Sequence, residues 1–170
     1  KVYAGIASDI YPKQKKIETI LSGISPEDPG FPKALAMCCV LNAWSKRKSN
    51  LLLLREETLP KSNRELFLAL QESARFLGCL GVEAAAVGEE YTDFPLPYIR
   101  DLYDTFETLL EAWIPYMKRM TVSLTATGVR LAVEADGTPA LPETLLPVKM
   151  TESDEITFLT ISGLTGGGGE

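Results

Sequence analysis

The chain has 170 residues, 45% apolar and 24% charged, a composition that excludes a disordered polypeptide and fits one domain or two small units packed together. Its 17 Lys and Arg against 23 Asp and Glu give a net charge of −6, which argues against a phosphate-backbone binder and so against nucleic acid as a partner. It contains no histidine, which removes a Ser-His-Asp triad, a Cys-His pair, a His metal site and a phosphohistidine relay within this chain.

The first half reads as helical. Val2, Ile6, Ile10, Ile17, Ile20, Leu21 and Ile24 recur at helical spacing and mark one apolar stripe. Pro12 lies inside it and is expected to kink the helix or to start its main body. Ser25-Pro26-Glu27-Asp28-Pro29-Gly30 breaks the pattern. A second helix is predicted from Pro32 to Glu56, through Leu35, Cys39, Leu41 and Leu51 to Leu54, ended by Thr58-Leu59-Pro60. The Leu51–Leu54 run is apolar all round, as expected of a segment buried on several sides. Ser62, with Glu65 three residues on, has the pattern of a capping box. The third helix is expected to reach Leu80, with Leu66, Leu70, Phe76 and Leu77 inward and Gly78 and Gly81 at its end.

The second half changes character. Val82 to Val87 is a short apolar segment of strand type. Asp93-Phe94-Pro95-Leu96-Pro97 is a turn, followed by a helix from Tyr98 to Tyr116 with Leu102, Phe106, Leu109, Leu110 and Trp113 inward. Thr121 to Thr127 and Val129 to Val133 alternate about Thr127-Gly128, the pattern of a β-hairpin. Pro139, Pro142 and Pro147 mark an irregular stretch, Ile156 to Ser162 a last strand, and Gly166 to Gly169 a flexible tail. The expected fold class is α+β: an antiparallel helical hairpin over residues 1–58, then a small α/β sandwich over residues 59–170 whose sheet is covered by the Tyr98–Tyr116 helix.

Cys38, Cys39 and Cys79 have no paired spacing and read as reduced, buried thiols of a cytosolic protein. No apolar run reaches the roughly 20 residues of a membrane span, so no membrane contact is expected from this fragment. The chain opens at Lys1, which reads as a piece of something longer with room for an anchor upstream.

Few motifs carry chemistry. There is no phosphate-cradling G-x-x-x-x-G-K-[ST] and no G-x-G-x-x-G after a strand. Lys46-Arg47-Lys48 reads as a solvated basic face or as a contact for an acidic partner surface. Glu107 and Glu111 share a helical face, extended by Asp101 and Asp104, and must repel one another unless solvated, paired or bridged by a cation. As a catalytic pair, one of them would need a raised pKa.

This order of parts resembles the core of bacterial sensor histidine kinases, a dimerising helical hairpin followed by an ATP-binding α/β sandwich of the gyrase, Hsp90 and histidine kinase type. In that family the first helix carries the phosphoacceptor histidine in H-D-x-x-G-x-x-L or H-E-x-x-x-P. Here Ala7-Ser8-Asp9-Ile10-Tyr11-Pro12 stands in its place, with Ser8 or Ala7 at the histidine position and Asp9 as the acidic neighbour. The helical ATP motif E-x-x-x-N-A-x-x-H reads Glu107-Thr108-Leu109-Leu110-Glu111-Ala112-Trp113-Ile114-Pro115. The resemblance implies the acid–base position for Glu107 and the magnesium position for Glu111. The adenine-contacting D-x-G-x-G is reduced to Asp136-Gly137, and the stretch from Thr138 to Glu155 is too short for the family's lid and second glycine box.

Four altered signatures imply a degenerate core without phosphotransfer and without cofactor, which dimerises through its hairpin and docks to a response regulator or another signalling protein. A phosphotransfer-type protein shares that bundle, but the missing histidine removes its chemistry. The resemblance implies a cytoplasmic place, as the soluble part of a membrane-anchored sensor. Two other readings stay open: a divergent active kinase using ATP and magnesium, and an unrelated α+β interaction module.

Overall fold

A computed structural model describes residues 2–53, 61–88 and 91–163. Helices α1 (Val2–Ser22) and α2 (Phe31–Leu53) pack on one another as an N-terminal hairpin. A two-residue strand β1 (Lys61–Ser62) leads into α3 (Arg64–Gly78) and pairs antiparallel with β3 (Asp93–Phe94). Strand β2 (Glu83–Val87), helix α4 (Leu96–Trp113) and strands β4 (Met117–Leu124), β5 (Val129–Ala135), β6 (Val148–Ser153) and β7 (Ile156–Ile161) complete the fold. The five-stranded sheet has the order β2-β4-β5-β7-β6, with β2 parallel to β4 and the other pairs antiparallel. The expected α+β class holds: a helical hairpin followed by a mixed α/β layer.

Period-two alternation builds the sheet. The rows Leu124–Val129–Ile161 and Val122–Leu131–Leu159 run across β4, β5 and β7, all buried on the face toward α4. Helix α4 answers with Leu102, Phe106, Leu109, Leu110 and Trp113, each at most 1% exposed. Pro95 caps α4 and Pro97 sits in its first turn, where a missing N–H costs nothing. The Tyr98 hydroxyl donates to the Thr127 carbonyl at 2.5 Å and accepts from the Gly163 N–H at 3.0 Å, tying the start of α4 to the sheet.

Several expectations are corrected. Helix α1 begins well before Pro12, which therefore lies inside it rather than at its start, and the apolar stripe is shallow: Ile10 is buried, Ile6, Ile17, Ile20 and, past the helix end, Ile24 are half-buried, and Leu21 is exposed. On α2, Cys38 is buried as expected, Cys39 is only half-buried, and Leu35 is exposed. Leu51 is buried, Leu52 half-buried and Leu53 exposed, so the apolar run has one inward side. Leu54, Glu56, the Thr58-Leu59-Pro60 stop and the Gly166–Gly169 tail lie outside the described residues. Cys79 is exposed.

Ser62 is not the cap of α3. It is in β1, and Asn63 takes the cap position without a side-chain cap bond. Buried Asn63 instead exchanges hydrogen bonds with Thr92, which holds the β1–β3 bridge together. Helix α4 starts two residues early and leaves Tyr116 outside. Strand β4 begins at Met117, and the whole of β6 was not foreseen.

Candidate functional site

Helix α4 presents apolar side chains to the sheet and a row of acids to the other helices. Asp104, Glu107 and Glu111 recur at helical spacing, so they line one face. They are paired and sheltered rather than solvated. Glu111 ion-pairs with Lys13 and, at 2.6 Å, with Lys16, both from α1. Asp104 pairs with Lys48 of α2, itself only 7% exposed. Arg47 and Lys46 pair with Glu72 of α3. The basic run on α2 therefore meets acids of its own chain, and the acidic surface that it fits is made of α3 and α4.

Glu107 sits at the centre and is 1% exposed. The Ser73 hydroxyl of α3 donates to its Oε1 at 3.0 Å, and its Oε2 has no hydrogen-bond partner among the described residues. Burial pushes its carboxyl up to about 7, against the pull of Lys13 and of the Ser73 and Tyr103 hydroxyls. Burial also lowers the Lys13 ammonium to about 8. Asp104 is raised, first by desolvation, with Lys48 opposing. Lys13 and Lys48 both approach the ring of Trp44 on α2, at 4.7 and 5.8 Å from its centroid.

The other expected residues lie elsewhere. Ala7, Ser8 and Asp9 are exposed on α1, and Asp9 is near enough to help raise Asp104. Asp136 and Gly137 line a surface hollow of about 630 Å³ with Lys118, Glu134, Glu152 and Asp154. Neither Glu107 nor Glu111 reaches it. Asp136 pairs with Lys118, and Gly137 has φ +155°, a backbone need that accounts for glycine there without a ligand.

This arrangement does not fit a magnesium–triphosphate group. Magnesium needs oxygen ligands free of competing cations, and both Glu111 oxygens face lysines. Glu107 has no open side toward a substrate. The hollow at Asp136 is rimmed by carboxylates, which repel a polyphosphate. No group of three or more His, Cys, Asp or Glu is placed to hold a metal among the described residues. The sequence showed the spacing of the acids and the basic run that contains Lys48, but missed Lys13, Lys16 and Ser73. Those residues come from α1 and α3, and only tertiary packing brings them here.

No protein-family model and no curated protein matches the sequence. Solved structures match across most of the chain at low identity. One is the histidine kinase domain of the Erythrobacter litoralis EL346 blue-light activated histidine kinase: 8% identity over 88% of this chain and 93% of that one, TM-score 0.49. A bacterial phosphotransferase matches at 11% identity over 93% and 92%, TM-score 0.45. The cytoplasmic segment of histidine kinase QseC matches at 12% over 81% and 98%, TM-score 0.41. Among the described residues no helix is long and apolar enough to cross a membrane.

Proposed function

We propose that this chain is a signalling core of the two-component histidine kinase type that has given up phosphotransfer, binds no nucleotide, and works by forming a homodimer and docking to a response regulator or another signalling protein. Residues 1–58 supply the dimerising hairpin and residues 59–170 the docking platform. The observation that carries this reading is the use of the α4 carboxylates: Glu107 is sealed among helices and Glu111 is held by two lysines, so the residues that the resemblance assigns to catalysis are bound up in internal contacts. The missing histidine points the same way, since neither Ser8 nor Ala7 offers an imidazole nucleophile.

Calorimetry with ATP and magnesium at about 100 μM protein tests it, a range in which a Kd of about 10–100 μM is visible. No saturable heat is expected. One-to-one binding would return the divergent kinase reading. The dimer is tested by light scattering. Leu21 and Leu35 are exposed on the hairpin, so Leu21→Asp with Leu35→Asp should leave the folded chain intact and yield a monomer. A double variant that stays dimeric at micromolar concentration removes the hairpin as the interface.

A further inference from the structure

We propose that the seam between the helical hairpin and the sandwich is a binding site for a small apolar acid, a straight-chain monocarboxylate of about eight to ten carbons. A cavity of about 350 Å³ lies there. Helix α1 contributes Ile20 and α2 contributes Ala34 and Met37, while Leu80 follows α3, and Ile114 and Pro115 follow α4. These walls are aliphatic and come from both parts of the chain, so an occupant touches the hairpin and the sandwich at once. At about 30 Å³ for each non-hydrogen atom, the space takes roughly ten to twelve such atoms, the size of that acid.

Charge decides which apolar molecule fits. The polar side chains that line the cavity are Lys33 and Glu111. Glu111 is already held by Lys13 and Lys16 of α1, so it offers no free negative charge. Lys33 is exposed in the first turn of α2, which carries no acid, and it pairs with no acid among the described residues. Asp28, on the loop before α2, accepts the Gly30 N–H at 2.7 Å and does not line the cavity. Three lysines against one glutamate leave the seam positive, with Lys33 free to meet an anion at the edge of an apolar wall. A carboxylate on an aliphatic tail answers both features. A cationic headgroup meets Lys33 with the wrong sign, and a polyphosphate finds no hydrogen-bond donors in aliphatic walls.

The tail supplies most of the affinity and the headgroup the selectivity. Each methylene moved from water into the cavity strengthens binding about fourfold, so affinity rises with chain length until the space is full. The occupant bridges the two parts of the chain, and a ligand that binds only the folded arrangement raises its stability by mass action. The site does not rest on dimerisation or on the loss of nucleotide binding. It stands or falls apart from both.

Titration calorimetry of the full chain with decanoate, hexanoate and decylamine tests the assignment. Decanoate should bind one-to-one with a Kd below about 1 mM. Hexanoate should bind about tenfold or more weaker, and decylamine should give no saturable heat. Lys33→Glu should weaken decanoate about fivefold or more. Ala34→Leu fills the cavity at a half-buried position with a good helix former, and should abolish binding. No saturable decanoate binding up to about 5 mM overturns the proposal, and is the result expected if a partner protein's side chain covers the wall instead. Equal affinity for decylamine overturns the choice of an anion. Undiminished decanoate binding in folded Ala34→Leu places the acid elsewhere and overturns the site. Should Ala34→Leu fail to fold, Lys33→Glu decides, because its side chain is exposed, and an unchanged Kd there overturns the proposal.

Discussion

The two faces of α4 are held by different physics. Toward the sheet, Leu102, Phe106, Leu109, Leu110 and Trp113 meet Val122, Leu131 and Leu159 with no ionisable side chain among them. Toward the other helices, Asp104 and Glu111 meet lysines of the hairpin and Glu107 meets Ser73 of α3. Burial of an apolar side chain contributes about 1.5–3 kcal/mol and depends little on pH or salt. A sheltered ion pair contributes a small balance between attraction and desolvation, and that balance moves with both. One helix thus joins a permanent interface to an adjustable one. Its apolar side packs on the sheet, and its acidic side carries the ion pairs to the hairpin.

The sharpest break of this contrast is in the core. Phe106→Ala removes a fully buried ring and should cost about 3–5 kcal/mol in urea unfolding, equally at pH 5.5 and 7.5. A pH-dependent loss would show that the two faces are not separate. Next comes Gly128→Ala. An added Cβ would stand 2.1 Å from the Ile161 carbonyl oxygen, a backbone atom fixed by the β5–β7 ladder. Strand β5 or β7 must shift, and a loss of about 1–3 kcal/mol is expected in thermal unfolding.

Lys48→Met acts on the other face. It leaves Asp104, already raised by burial, without its cation. The cost should be about 2 kcal/mol at neutral pH and should shrink in acid as Asp104 takes up a proton. A cost that is the same at pH 5 and 7.5 would mean that Lys48 matters through its stem alone.

What could be read from the sequence follows the same division. Strands β4 and β5 were visible because one face is wholly buried and the other is not, which writes alternation into Val122, Leu124, Val129, Leu131 and Val133. Strand β6 was invisible because it lies at the sheet edge, with only Val148 half-buried and the rest exposed, so burial imposed no pattern on Lys149 to Ser153. Ser62 has the capping-box spacing, yet the chain pairs Ser62 with Asp93 before the helix begins, and a distant strand overrode a local signal. On α4, both the apolar positions and the acidic row could be read. That Glu107 is buried and that Asp104 and Glu111 are half-buried and paired could not, because their partners, Lys13 and Ser73 among them, are remote in sequence and carry no periodic mark.

The smallest effect is expected where ion pairs lie on the open side of the sheet. Arg119 bridges Glu83 at 3.0 Å and Glu134 at 3.2 Å across β2, β4 and β5. All three side chains are well exposed. The exposed neighbours raise the Arg119 guanidinium, first through the Glu83 hydrogen bond, but water competes for every one of these contacts and salt screens them. Arg119→Ala should therefore leave the urea midpoint unmoved within error, with or without added salt, although it removes as many ion pairs as the two lysines make with Glu111. If it instead matched Lys48→Met, the number of ion pairs rather than their shelter would govern stability in this chain, and the distinction between the two faces of α4 would lose its physical basis.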